Sequence, residues 1–248
     1  MTIHTKATAS RPPGAGARQG RLMAAASRLA AATLVPLVLC VSVGLGPVMT
    51  ASPAAAMNPP QTLPAGVVNA LKTDMNNYWA TVFRNAGRGY TGPSAIRYYN
   101  PGPLLMPCPE NSYYCGLDRS IWLDARWNQA QMQARGDYAT GAILAHEWAH
   151  HVQNRRGMNL GNYAVFQTEL HADCMAGMYT RHAFNAGLIN NVDYYEGRNE
   201  MYALGDTAYT APDHHGTPGQ RRAWFDYGWN HNTGLTACDS ALRAPLHP

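Results

Sequence analysis

Charged side chains are scarce in this sequence. Asp, Glu, Lys and Arg make up 14% of the 248 residues, against 46% apolar residues, a balance typical of folded globular proteins and not of disordered chains. The formal net charge is only +4, and the 19 Lys and Arg residues are scattered where a nucleic-acid binder gathers them into a basic stripe. No internal repeat or second domain boundary is visible. We therefore predict one folded domain with appendages and no nucleic-acid partner.

The sequence also lacks any Cys-x-x-Cys pair, which argues against a zinc site built from thiolates. Of the five cysteines, Cys40 lies in the N-terminal region and four follow it. An even number of cysteines suits disulfides in an oxidising compartment. Cys108 and Cys115 are the natural local pair, and a Cys174–Cys238 bond then follows by elimination.

The N-terminal residues are typical of an export signal. Several arginines precede an uncharged apolar run at residues 29–49, and the alanines at 54–56 offer the small-x-small pattern that a signal peptidase cuts. Cleavage there makes Met57 the first mature residue. We therefore assign residues 1–56 to a signal peptide or membrane anchor, residues 57–64 to a proline-rich linker and residues 65–248 to the functional domain.

Two other interpretations of the leader remain open. Residues 29–49 are long enough to span a bilayer as an uncleaved anchor, although the prolines and glycines within them weaken a straight helix. A lipoprotein cut before Cys40 is disfavoured because Leu39 stands where a small residue is expected. We expect a secreted protein, with a membrane-anchored protein carrying its domain outside the cytoplasm as the alternative.

Hydrophobic spacing predicts helices on both sides of a short hairpin. Apolar residues recur at three- and four-residue intervals from Val67 to Phe83, as an amphipathic helix requires. The runs 113–115 and 120–123 flank Gly-Leu-Asp and predict a hairpin. From Gly136 onward the pattern is helical: a helix capped by Asp137 and closed by Gly157, then helices at about 163–186 and 193–204. The expected class is α+β, a helical body with a small antiparallel sheet.

The run His146-Glu147-Trp148-Ala149-His150 carries the strongest chemical signal. Residues four apart on a helix lie on one face, so His146 and His150 can bind one metal ion. Glu147 would then stand beside the metal, where a general base can take a proton from the attacking water. A surface helix with two unrelated histidines is the alternative, but the flanking positions are uncharged, as in a buried helix.

A catalytic zinc needs a third protein ligand and one open position. The class that supplies a third histidine six residues after the second is excluded, because Arg156 occupies that position. Glu169 heads a following helical segment and is the expected third ligand. Asp173, one turn later, would accept a hydrogen bond from the far nitrogen of His146. Small residues at 172, 176 and 177 would let the two helices approach closely.

The neighbouring histidines are weaker candidates. His171 competes with Glu169 as third ligand, but two residues along a helix it points nearly opposite, so both cannot bind one metal. His151 diverges from the face of His146 and His150, and we expect a capped or surface histidine there. The sequence therefore predicts one Zn²⁺ per chain.

Four ordered segments resemble the neutral zinc metallopeptidase family of bacteria. Residues 145–153 (AHEWAHHVQ) and 169–177 (ELHADCMAG) are similar to its AHE-x-G-HHVQ and EL-Q-ADC-x-AG signatures. Residues 215–225 (HGTPGQRRAWF) are similar to its HG-[ST]-x-x-QR…WF segment, and residues 114–124 resemble its hairpin motif. The match spans most of the chain after the leader.

This resemblance implies a zincin-like fold, zinc ligation by His146, His150 and Glu169, and catalysis at Glu147. It also draws attention to His215, for which it implies a role in substrate binding or oxyanion stabilisation, and to Arg221 as a structural anchor. The sequence departs from the family at Ala149 and His171, which replace a glycine and a glutamine, and before Cys108, where a Cys-Gly-Ser-rich loop is usual. Specificity is therefore not carried over.

The favoured function is hydrolysis of peptide bonds, with Glu147 as general base and then general acid. The edge of strand 120–123 would hold an extended peptide by adding it as a further strand. Two alternatives remain: an exported metal-stabilised binding or scaffold protein without turnover, and a zinc amidase acting on a non-peptide or cell-wall amide. The oligomeric state is not predicted.

Overall fold

The computed structural model describes residues 64–99 and 112–245. The leader at residues 1–56, nearly all of the linker, and Cys108 lie outside these ranges. The described helices are α1 (Pro64–Asn85), α2 (Ala125–Arg135), α3 (Tyr138–Arg156), α4 (Val165–Asn185), α5 (Asn191–Ala203) and α6 (Pro218–Asn230), with two short 3₁₀ helices at Leu160–Asn162 and Asp239–Arg243. The described strands are β1 (Ile96–Tyr99), β2 (Tyr113–Cys115) and β3 (Ser120–Asp124). The predicted α+β class is confirmed.

Helix α1 is the amphipathic helix that the apolar spacing predicts. Its buried side chains recur along one face and include Leu71, Met75, Trp79 and Phe83, all inaccessible to solvent. The helix ends at Asn85, and Gly87 beyond it has the positive φ of 67° that glycine adopts without a Cβ clash. This face packs on α3 and α4 and forms much of the hydrophobic core.

The three strands form one sheet in the order β1-β3-β2. The predicted hairpin is confirmed, since β2 and β3 pair antiparallel with Cys115 opposite Ser120. The prediction of an antiparallel sheet is wrong, because β1 pairs parallel to β3, with Ile96 opposite Ile121. Because β3 is paired on both sides, the proposed peptide-binding edge at 120–123 is also wrong.

Helix α3 runs through the middle of the molecule and is buried along most of its length. It ends, as predicted, at Gly157, which adopts a left-handed conformation with φ of 69°. Asp137 is the N-cap residue of α3, as predicted, but its side chain makes no capping hydrogen bond. Instead Glu196 of α5 accepts a bond from the backbone N–H of Tyr138 at 3.0 Å, so a carboxylate from another helix stabilises the start of α3.

Helices α4 and α6 cross in direct backbone contact. A Cβ on Gly228 would lie 1.8 Å from the carbonyl oxygen of Cys174, and one on Gly177 would lie 2.0 Å from that of Phe225. Gly177 does allow two helices to approach closely, as predicted, but the prediction names the wrong partner helix, since Gly177 faces α6.

Helices α4 and α5 lie within two residues of their predicted bounds, whereas α2 and α6 were not predicted.

The predicted Cys174–Cys238 disulfide is present, with sulfur atoms 2.03 Å apart. It ties the segment after α6 to α4. Cys115 has no disulfide partner among the described residues, and its predicted partner Cys108 lies outside them. Within residues 64–99 and 112–245, no helix combines the length and the apolar character that crossing a bilayer requires.

Candidate metal centre

Three potential metal-donor side chains converge between α3 and α4. His146 and His150 project from one face of α3, and Glu169 projects from the first turns of α4. His146 Nε2 lies 3.1 Å from His150 Nε2 and 3.1 Å from Glu169 Oε2, and His150 Nε2 lies 3.3 Å from Glu169 Oε1. The three residues that the sequence selects as ligands therefore meet at one point.

The spacing of these atoms fits zinc. Two ligand atoms about 2.1 Å from one tetrahedral zinc ion lie roughly 3.4 Å from each other, close to the separations among His146, His150 and Glu169. Two imidazoles and one carboxylate are also a donor set that catalytic zinc uses, with the fourth position left open. The residues present fit one zinc ion.

Asp173 fixes the orientation of His146. It lies one turn after Glu169 on α4 and is completely buried. Its Oδ1 lies 2.9 Å from His146 Nδ1, the contact that the sequence predicts. Because a carboxylate only accepts, the Nδ1–H of His146 donates to it, and Nε2 is left facing His150 and Glu169.

Arg221, from α6, completes this arrangement. Its Nε and Nη2 both donate to the two oxygens of Asp173 at 2.8 Å, and its Nη1 donates to the carbonyl of Leu204 at 3.1 Å. Burial alone would raise the pKa of Asp173, but the adjacent guanidinium outweighs it and holds that pKa below its usual range. Asp173 is therefore an anion on α4 that bonds both His146 of α3 and Arg221 of α6, and Arg221 anchors it.

The ligand side chains are strongly coupled. Burial alone would lower the pKa of His146, but its bonds to Asp173 and Glu169 outweigh this and raise the pKa to about 10. Burial would raise the pKa of Glu169, but the two histidines hold it well below its usual range. Protons and a metal ion therefore compete for the same donors, and metal uptake displaces protons.

Glu147 lies beside the donors and lines an adjoining cleft of about 730 Å³. It is 6% exposed. Burial raises the pKa of its carboxyl group, an effect that the neighbouring His146 and His150 oppose. A carboxylate whose proton affinity is raised in this way is better able to accept a proton from an attacking water.

His215 lines the same cleft as Glu147. Its side chain is 49% exposed, while its backbone N–H donates to Asp206 Oδ2 at 2.9 Å. The other oxygen of Asp206 bonds Nδ1 of the buried His214. One carboxylate thus holds two consecutive residues of the loop and fixes where the His215 ring enters the cleft.

The remaining histidines of the motifs lie outside the donor cluster. His171 is fully buried, and its two ring nitrogens face Gln153 and Asp239. His151 is also fully buried, which corrects the expectation of a capped or surface histidine. Its ring lies 2.8 Å from the carbonyl of Thr91 and 3.2 Å from the hydroxyl of Tyr114, so it joins α3 to β2.

The sequence profile of the family described as "Putative neutral zinc metallopeptidase" matches residues 49–241. The chain belongs to this family. The match includes the donor cluster, Glu147, Asp173 and the His215 loop, so the resemblance drawn from the motifs is confirmed. Membership supports zinc as the metal and hydrolysis as the chemistry of the site.

Two relatives illustrate the breadth of the similarity. The chain is 25% identical to "Uncharacterized protein YpfJ" of Escherichia coli K12 over 205 residues, covering 71% of each chain. It is 29% identical to "Uncharacterized protein Rv2575" of Mycobacterium tuberculosis H37Rv over 196 residues, covering 64% of this chain and 65% of the relative. No solved structure matches the chain. These two relatives therefore support family membership without adding an activity.

Sequence reasoning missed two polar residues at the edge of the site. Gln153 contacts His150, and Asp206 holds the His215 loop. Gln153 had a findable signal, because it lies three residues after His150 and so on the same side of the helix. Asp206 had none, since its partner lies nine residues away in an irregular loop.

Proposed function

We propose that this protein is an exported zinc-dependent peptidase in which His146, His150 and Glu169 bind one zinc ion and Glu147 moves the proton. The observation that carries the proposal is the convergence of three zinc donors, at tetrahedral spacing, beside a cleft-lining carboxylate. Zinc bound there would acidify the attacking water and polarise the carbonyl of the scissile bond.

Glu147 acts as general base and then as general acid. Its carboxylate takes a proton as water adds to the carbonyl carbon and delivers that proton to the departing amine nitrogen. The proton affinity raised by burial favours the first step, and the carboxyl group then holds the proton until the amine departs. No side-chain nucleophile is required.

His215 stabilises the oxygen on which negative charge develops. His215 lines the cleft together with Glu147, and the bond from its backbone N–H to Asp206 holds its loop in place. A donor held in place before the reaction contributes more than one that must reorganise. Substrate side chains would contact aromatic residues that line the cleft, Tyr113, Tyr114 and Trp127.

Export is supported by two features. The disulfide between Cys174 and Cys238 is of a kind that persists in oxidising compartments. Residues 1–56 have the basic, apolar and small-residue regions of an export signal. Whether residues 29–49 are removed or retained as an anchor decides between a secreted and a membrane-associated peptidase.

The proposal is tested by digesting a proteome-derived peptide library with the wild type and with Glu147→Gln. The variant keeps the shape of the side chain but removes its base, so we expect equal zinc content and a loss of cleavage of about 10²-fold or more. Glu196→Gln, the same change away from the cleft, is the matched control and should cleave normally. His215→Ala should retain zinc and lose about 10- to 10³-fold in kcat.

Two outcomes would contradict the proposal in different ways. Zinc binding without cleavage of any peptide, but with cleavage of cell-wall amides that Glu147→Gln abolishes, would identify an amidase. Zinc loss that lowers the melting temperature, with no turnover of either substrate class, would identify a metal-stabilised binding protein.

A further inference from the structure

His150 has a neutral side-chain partner where His146 has a charged one. Gln153 lies on α3 three residues after His150 and is fully buried. Its Oε1 lies 2.9 Å from His150 Nδ1, the ring nitrogen that faces away from Glu169. The contact repeats, on the second histidine, the geometry that Asp173 provides for the first.

The orientation of the Gln153 amide is determined by its other neighbours. Its Nε2 lies 2.8 Å from the carbonyl oxygen of Thr168, at the start of α4. A carbonyl only accepts hydrogen bonds, so the amide nitrogen must face it and Oε1 must face His150. Because Oε1 also only accepts, the proton of neutral His150 resides on Nδ1. His150 Nε2 is then left as a lone-pair donor pointing at Glu169 and His146.

A second contact is compatible with this orientation. The Nε2 of Gln153 also lies 3.0 Å from Nδ1 of His171, which accepts in this arrangement. The other nitrogen of His171, Nε2, lies 3.3 Å from Asp239 Oδ1 and 3.2 Å from Arg156 Nη1, and Asp239 is held by Arg156 through bonds of 2.7 and 2.9 Å. Asp239 follows Cys238, whose disulfide fixes the segment to α4.

We propose that Gln153 is a positioning residue for the metal site, holding His150 in the tautomer that binds zinc, with His171 and the disulfide-tied Asp239 supporting it. The proposal rests on the zinc binding of the proposed function. It assigns a purpose to a series of hydrogen-bonded buried side chains that the hydrolytic mechanism does not use. Residues of this kind, behind a ligand histidine, commonly change metal affinity by about 10- to 100-fold when removed.

The test compares zinc affinities of the full-length chain by competition with a chromophoric chelator. Gln153→Leu removes both hydrogen-bonding groups, and we expect zinc binding to weaken about 10- to 100-fold. His171→Phe keeps the ring volume and leaves the Gln153–Thr168 bond intact, so we expect a smaller, few-fold loss. Val152→Ala is the matched control, because it removes buried volume from the neighbouring position of α3 without removing a hydrogen-bonding group.

A spectroscopic measurement separates positioning from general destabilisation. With Co²⁺ in place of zinc, the visible absorption bands report the geometry of the ligands. We expect Gln153→Leu to shift these bands, since His150 is free to rotate, and Val152→Ala to leave them unchanged while lowering the melting temperature.

The outcomes distinguish the two proposals. If the wild type takes up no zinc, the proposed function is wrong. If the wild type binds one equivalent and Gln153→Leu binds as tightly with the same Co²⁺ spectrum, the zinc site stands and the role of Gln153 is wrong. Equal weakening by Gln153→Leu and Val152→Ala would also overturn that role, because it would trace the effect to stability alone.

Discussion

Asp173 connects helix α3, through His146, to helix α6, through Arg221. It accepts one bond from His146 and two from Arg221, and both Asp173 and Arg221 are almost wholly buried. Replacing Asp173 with Asn removes the charge that balances the guanidinium. We expect a stability loss of roughly 3 kcal/mol, because a buried cation is left unpaired, and zinc binding about 10- to 100-fold weaker.

Asp226→Asn is the control for this prediction, with chemical unfolding and chelator competition as the measurements. Asp226 pairs with Arg198 on the partly exposed surface of α6, where an ion pair contributes less than about 1 kcal/mol. That variant should keep its zinc affinity. Equal stability losses in the two variants would contradict the account of Asp173.

Local spacing explains which site residues are predictable. His146, Glu147 and His150 fall within one turn and a half of a helix, where geometry follows directly from sequence separation. Glu169 and Asp173 were reached by assuming a second helix antiparallel to the first. The contacts of Arg221, 48 residues from Asp173, follow no local rule. The sequence drew attention to Arg221 only because its motif resembles that of the family.

At the level of elements, the start of α3 depends on a carboxylate from α5. Glu196 accepts from the Tyr138 backbone, and burial, with lesser effects from Asp137 and Asp193, raises its pKa from 4.5 to about 7. A folded state that binds the proton more tightly than the unfolded state loses stability as pH rises from about 4.5 to 7. Because Glu196 is partly exposed, we expect a change of only about 1 kcal/mol.

Glu196→Gln tests this effect, because the amide can still accept the bond but does not titrate. Urea unfolding at pH 5 and pH 8 should show the wild type losing more stability than the variant over this interval. A variant with the same pH slope as the wild type would contradict the assignment to Glu196.

The crossing of α4 and α6 determines whether Arg221 reaches Asp173. Gly228→Ala would place a Cβ 1.8 Å from the Cys174 carbonyl, so the helices must separate. We expect a stability loss of about 1 to 3 kcal/mol together with weaker zinc binding. Gly219→Ala, near the start of α6, meets only the Thr217 hydroxyl at 4.0 Å and should change neither. Unchanged zinc affinity in Gly228→Ala would show that the metal site does not depend on how α4 and α6 cross.

Elements that depend on local signals were predicted well. Helix α1 follows from apolar spacing, and the β2–β3 hairpin from two β-rich runs around a short turn. The parallel β1–β3 pair was missed because it joins residues 25 positions apart, with Ile96 opposite Ile121, and no turn signal sets such a pairing. Asp137 has the residue type of a cap, but Glu196 occupies that role from a distance of 58 residues.

For the whole molecule, the disulfide closes a loop of 64 residues between α4 and the C-terminal segment. Chain entropy predicts a stabilisation of about 4 kcal/mol for a loop of this length. Thermal unfolding of the Cys174→Ser/Cys238→Ser double variant should show a lower midpoint than the wild type. The same midpoint with and without the bond would show that the segment is held by packing alone.

One zinc ion at His146, His150 and Glu169 is proposed to drive hydrolysis. Metal analysis during chelator stripping and stepwise zinc return, with peptide cleavage followed in parallel, tests this proposal. We expect one equivalent of zinc per chain, loss of cleavage on stripping, recovery complete at one equivalent, and no tight zinc in Glu169→Gln. Full cleavage by the stripped protein, or unchanged zinc uptake by Glu169→Gln, would contradict it.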